Sequence, residues 1–242
     1  MEPDPQSLPG WFETPLGSAL LEQEREAVGA ALECVFGEQF LQVGAWGPPG
    51  LFVALARTQR RALLSPSDVP AGHIRAHPSG LAIQSDSIDA LLLPHTLELE
   101  PDPHEVLREA QRVLRPEGCL VVLGFEPLGS WAMRSRIARG GFPPGTTRLL
   151  SERRLADWLK LLGFDIDPAS RFLFTLPFVR AQTGRLRRWA DGAGRVLGSR
   201  LSGAYVLCAR KRVHAVTPIR LTFRARPAVI TGLAEPTTRV GT

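Results

Sequence analysis

IDALLLPHTLELEPDPHEVLREAQRVLRPEGCLVVLGF, residues 88–125, is the stretch from which the rest of the chain can be read. IDALLL (88–93) is a continuous apolar run, the pattern of a parallel strand covered on both faces. Beyond PHTLELE, Asp102 stands as an N-cap, with Pro103 at the first helical position and Glu105 at the third, a capping-box arrangement. Val106, Leu107, Ala110, Val113 and Leu114 then repeat at helical spacing, which predicts a helix over 104–114. RPEG turns the chain, and CLVVLGF (119–125) reads as a second buried strand. Strand, helix and strand in about forty residues form a right-handed parallel unit almost by default.

Working outward, Thr14 and Pro15 cap and start a helix whose apolar residues Leu20, Leu21, Ala27, Val28, Ala31, Leu32 and Val35 run to a stop at Gly37. FLQVG (40–44) predicts a short buried strand, and ALLS (62–65) a second one after a brief helix in LFVALARTQ. Residues 66–80 are rich in turn formers. Downstream, Ser151 caps a helix carrying Leu155, Trp158, Leu159 and Leu162, stopped by Gly163. FDI (164–166) predicts a short strand, 170–202 a basic amphipathic insertion, and AYVLCA (204–209) the last strand. Strands alternating with helices predict an α/β fold with a parallel-dominated sheet.

The chain has 242 residues, 44% hydrophobic and 22% charged, so composition is that of a globular protein large enough for one domain with an appendage. No apolar run is long enough to predict a membrane span. The opening MEPDPQSLPGWFETP is acidic and proline-rich, unlike a secretory signal. Cys34, Cys119 and Cys208 are far apart in apolar contexts and read as reduced core residues, which points to the cytoplasm. The five histidines (73, 77, 95, 104 and 214) show no ligand spacing, so no metal site is expected. The net charge of +5 comes from arginines concentrated beyond Arg134; lysines occur only at 160 and 211. A solvated basic surface accounts for that excess, and RNA or another anionic surface stays open as a partner.

In an open α/β sheet, ligands bind outside the carboxyl ends of the strands. Those ends are GAWGPPG (44–50), SPSD (65–68), PHTLELE (94–100) and EPLGSW (126–131). GAWGPPG lacks the glycine spacing of a dinucleotide fingerprint, and its two prolines remove amide donors that a pyrophosphate needs.

Residues 89–125 closely resemble the class I S-adenosylmethionine-dependent methyltransferases of the type 11 kind: a strand, an HxLEH-like loop, a PDP helix start, an RVLKPGG-like turn and a following strand. DWLKLLGFDI and AYVLCARKR near the end fit the same order. The TPLG start and LQxGxWG loop look closest to an uncharacterised bacterial branch. The resemblance implies a Rossmann-like sheet of seven strands, mostly parallel with an antiparallel last strand and helices on both faces. It implies S-adenosyl-L-methionine as cofactor and methyl transfer to an acceptor, expected to be a small molecule.

Carried over residue by residue, the resemblance places the cofactor at Gln42, Gly44, Trp46, Gly47, Asp68, Pro94 and His95. Gln42 stands where the family has an acid, Trp46 where it has the second glycine, and Pro48 where it has the third. Asp68 follows the second strand three residues late, and Trp46 is a candidate for a cation–π contact with the sulfonium. His95 and Glu126 are the candidate proton acceptors, and Trp11 and Trp131 the candidate walls of an acceptor pocket. GGFPPGTTR (140–148) reads as a mobile lid and 185–201 as a pocket cover. The expected layout is an N-terminal lid segment (1–18), the methyltransferase domain (19–212) and a tail (213–242). The departures in the loop leave two rivals: a non-catalytic relative with a binding or regulatory role, and a transferase acting on RNA or protein.

Overall fold

A computed structural model describes residues 7–66, 73–127, 129, 131, 143–172 and 202–212. Strands β1 (Gln39–Val43), β2 (Arg60–Ser65), β3 (Ile74–Arg75), β4 (Ile88–Pro94), β5 (Leu114–Phe125), β6 (Phe164–Ile166), β7 (Ser170–Phe172) and β8 (Ala204–Lys211) form one sheet. Its order is β3-β2-β1-β4-β5-β8-β6, with β7 also paired to β8. β3, β2, β1, β4 and β5 are mutually parallel, and β8 runs antiparallel to β5, β6 and β7. The sheet therefore has eight strands, one more than expected. The extra one, β7, lies in the first residues of what reads as an insertion.

Helices α1 (Leu8–Phe12), α2 (Pro15–Leu32), α3 (Thr96–Leu99), α4 (Pro103–Val113) and α5 (Glu152–Leu161) accompany the sheet, with a short 3-10 turn at Val53–Leu55. The caps are those legible in the sequence. Thr14 accepts from the Gly17 amide, Asp102 from those of His104 and Glu105, and Ser151 from that of Arg154. Each side chain satisfies amide donors that a helix start leaves open. Gly163 ends α5 with φ of 82°, a left-handed conformation that glycine adopts without strain. α2 stops at Leu32 rather than at Gly37, and α1 is a helix that periodicity did not announce.

Two apolar layers cover the two faces of the sheet. One unites Phe40, Leu92, Val121, Leu123 and Val206 with Leu20, Val28 and Leu32 of α2. The other unites Leu41, Leu91, Leu93, Leu120 and Leu207 with α4 and α5. This double covering is why β4 carries an unbroken apolar run over 90–93 and β5 one over 119–123, rather than an alternation. Cys34 is exposed, which corrects the reading of three core cysteines. Cys119 and Cys208 are partly buried, and burial pushes their thiols up to about 12 and about 11 respectively.

Candidate functional site

The strand order reverses between β1 and β4, so the crevice for a ligand lies at the carboxyl ends of those two strands. The loop after β1 is built to sit close to the loop after β4. Gly44 donates to Leu64 O at 2.8 Å, and the Thr96 hydroxyl donates to Val43 O at 2.6 Å. Gly44 has φ of 98°, and a Cβ there would meet Thr96 Oγ1 at 2.5 Å. Glycine is therefore required by both backbone and neighbour.

His95 leaves β4 with φ of 55° and caps α3. This unusual backbone turns its ring into the crevice between α2 and β5. Its Nδ1 lies 2.6 Å from Glu98 Oε2 and its Nε2 lies 2.9 Å from Glu24 Oε1. Trp46 Nε1 donates to Glu24 Oε2 at 2.7 Å, and the Phe125 amide donates to Glu98 Oε1 at 2.7 Å. Both carboxylates thus accept from groups that can only donate, and each still has one oxygen for the imidazole.

The rings extend this arrangement. His95 is stacked on Phe125 at 4.1 Å between centroids and lies 4.3 Å from Trp46. Phe125 stacks on Trp131 at 5.8 Å, Trp11 stands edge-on to Trp131 at 6.3 Å, and Phe12 edge-on to Trp46 at 5.0 Å. Burial opposes a charge on His95, but Glu24 and Glu98 outweigh it and raise the imidazole to about 9. Burial pushes the Glu98 carboxyl up, with the His95 charge holding it back. His95 is accordingly an imidazolium at neutral pH, with a glutamate at each nitrogen, the Phe125 ring stacked on it and the Trp46 ring tilted beside it.

That arrangement corrects two expectations. His95 is 1% exposed and protonated at neutral pH, so it is not a proton acceptor there. Trp46 is also 1% exposed, with its ring against His95 and Phe12, so it does not offer a face to a sulfonium in this conformation.

Gln42 is 3% exposed, and its Nε2 donates to Gly44 O at 3.0 Å. Its Oε1 is buried with no partner among the described residues. A buried acceptor left open beside a glycine loop fits a ligand with an N–H donor, because such an atom otherwise costs its full desolvation. Gly47 and Gly50 also run at positive φ (72° and 84°), and a Cβ at Gly50 would meet nothing within 4 Å.

Pro94 is buried at the end of β4, and Asp68 lies outside the described residues. Glu126 is not brought to His95. Burial raises its carboxyl, which accepts from the Glu152 backbone at the start of α5 and lies near Arg171. Trp11 and Trp131 meet edge to face within one buried apolar layer. Of the supposed mobile lid, residues 143–148 are described. They are pinned to α3: the Thr147 amide and hydroxyl both donate to Glu98 O, and Arg148 donates to Pro101 O. Residues 185–201 and 213–242 lie outside the described residues.

Glu24 and Glu98 were missed by sequence reasoning. The signal for Glu24 was present: Leu20, Glu24, Val28 and Leu32 recur every fourth residue, which puts a carboxylate on the apolar stripe of α2.

Residues 52–122 match the family model described as a methyltransferase domain of the type 11 kind. Over those residues the chain carries a methyltransferase domain. A curated relative, the uncharacterized protein YafS of Escherichia coli K12, is 34% identical over 148 residues, 60% of this chain and 57% of that one. The match thus spans little more than half of that relative's length. Among solved structures, an S-adenosylmethionine-dependent methyltransferase from Thermotoga maritima has a TM-score of 0.56 at 18% identity, covering 84% of this chain and 93% of its own. One from Archaeoglobus fulgidus has a TM-score of 0.54 at 18% identity over 80% and 99%. The cyclase SpnF has a TM-score of 0.53 at 17% identity over 80% and 82%. These likenesses establish the class I fold, and the fold by itself does not name a reaction.

Among the described residues, no helix is long and apolar enough to cross a membrane, and no three His, Cys, Asp or Glu side chains group as a metal site would.

Proposed function

We propose that this protein is an S-adenosyl-L-methionine-dependent methyltransferase of the cytoplasm, acting on a small-molecule acceptor. The observation that carries the reading is Gln42 Oε1, a buried acceptor without a partner on the loop after β1. Gln42 would receive the cofactor's ammonium, beside the glycines of the 44–50 loop. The cofactor, when bound, supplies a methyl group already activated by its sulfonium. The chain's own part is to hold, align and exclude water.

Where the acceptor must lose a proton, Glu126 is the better placed of the two candidate bases. It is half-buried, burial raises its carboxyl, and it does not share the charge of His95.

Calorimetric titration with S-adenosylmethionine and S-adenosylhomocysteine tests the reading. Micromolar binding of either is the expected result, and no heat at millimolar ligand would overturn it. One observation favours a binding role without transfer, the burial of Trp46 and His95 at the crevice. Binding of both ligands with no methyl acceptor found in a screen of cellular small molecules, RNA and protein would favour that second reading.

A further inference from the structure

We propose that the outer face of α4 and α5 is a binding surface for single-stranded RNA, formed by His104, Arg148, Arg153, Arg154, Trp158 and Lys160. The inference concerns a partner rather than the methyl acceptor, and it does not rest on the methyltransferase reading.

The two helices start near each other. Arg148 donates to Pro101 O at 2.8 Å and so ties the lead into α5 to the lead into α4. Across the seam between the helices, the His104 ring lies 3.9 Å from that of Trp158. The Arg154 guanidinium, one turn earlier on α5, lies 5.1 Å from the same indole. Trp158 is half-buried, while His104 and Arg154 are exposed. The indole therefore holds two planar nitrogen-bearing groups at the surface with part of their rotamer freedom already lost.

The cations around this stack are not spent on the protein. Nearby arginines are: Arg108 pairs with Glu105, and Arg171 with Glu152. Arg148, Arg153, Arg154 and Lys160 are exposed and enter no ion pair among the described residues. Arg153 and Lys160 lie seven residues apart, two turns along one stripe of α5. Asp102 is engaged by the α4 amides, which leaves Asp157 and the half-buried Glu126 against four cations. Cations beside exposed planar groups suit a chain of phosphates that carries bases. The cations meet the phosphates, and a guanidinium or imidazole plane gives a base a surface to stack on. An anionic membrane fits less well. α5 turns Leu155 and Leu159 into the core and presents one large apolar side chain to solvent, Leu161, which is too little to insert.

Fluorescence anisotropy on the full chain tests this, with a labelled oligouridine of about sixteen nucleotides as probe. Four phosphate contacts give a log–log salt slope of about −3, so binding should weaken roughly fiftyfold over about a fourfold rise in salt. Arg153→Gln, Arg154→Gln and Lys160→Gln, all at exposed helix positions, should each lessen that slope by about 0.7. Trp158→Leu should weaken binding severalfold and leave the slope in place, because it frees Arg154 and His104 without removing a charge. No binding at low salt would overturn the proposal. So would binding that survives these substitutions together and is lost in Arg185→Gln, Arg187→Gln and Arg188→Gln, which would put the RNA on the 185–201 segment. Partition onto phosphatidylglycerol vesicles without RNA binding would overturn it in favour of a lipid surface.

Discussion

Trp46 and Glu24 are 22 positions apart in the chain, and the indole N–H of one donates to the carboxylate of the other at 2.7 Å in the buried core. The family pattern has a glycine where Trp46 stands, a residue that leaves backbone open to a ligand. Here the side chain turns away from the loop's rim, ties it to α2 and roofs His95. The departure from the pattern is therefore a change in how the crevice is walled.

Trp46→Phe keeps a ring in the layer but leaves Glu24 Oε2 without its donor. Stability should fall by about 1–3 kcal/mol, the cost of an unpaired buried acceptor. Trp46→Gly removes a fully buried indole and should cost about 3–5 kcal/mol. Urea denaturation measures both, and a glycine variant as stable as the parent would mean the indole is not part of the core.

Stability should decline as pH rises from about 6.5 to about 9. His95 is raised from its ordinary value of 6.5 to about 9 in the folded chain, so its contribution is complete below 6.5 and is lost as the pH passes through 9. Glu98, raised by burial, adds a loss of the same sign. His95→Gln should flatten the upper part of the profile at a lower absolute stability. A denaturation midpoint independent of pH over 6.5–9 in the parent would contradict a buried imidazolium.

Gln42→Met should leave the fold close to its present stability, since it removes one hydrogen bond to Gly44 O together with a buried acceptor that has no partner. Affinity for S-adenosylhomocysteine should fall by roughly tenfold, the worth of one hydrogen bond to a ligand amine. Equal affinities in calorimetry would show that Oε1 does not face the ligand.

Gly44→Ala and Gly50→Ala separate packing from backbone strain. Both positions have positive φ, but a Cβ at Gly44 meets Thr96 Oγ1 at 2.5 Å while one at Gly50 meets nothing. Gly50→Ala should cost about 1 kcal/mol for the left-handed backbone alone. Gly44→Ala should cost more, about 2–3 kcal/mol, because the Thr96 bond to Val43 O must also yield. Thermal melts that rank the two variants in the opposite order would refute the close approach of the loops.

Local features of this chain were legible from residue order. The apolar runs of β4 and β5, the caps Thr14, Asp102 and Ser151, and the stop at Gly163 depend on neighbours within a few positions. The resemblance over residues 89–125 carried the fold class with them. α1 was missed because five residues leave no period to detect. β7 was hidden because three residues before a basic stretch carry no strand pattern of their own.

The crevice could be located from the strand ends alone, yet the roles of its residues could not. His95 looked like a base because it stands in the loop after β4, facing the expected cofactor and acceptor. It is a cation because Glu24, 71 positions away, and Glu98 converge on its two nitrogens. Trp46 looked like a ligand contact because of its place in a glycine loop, and it is a core residue because α2 presents a carboxylate to it. Periodicity and capping act along the chain, so they can be read from order. The charge on a buried imidazole and the face an indole presents depend on which distant groups the fold brings within hydrogen-bond reach, and no spacing in the sequence encodes that.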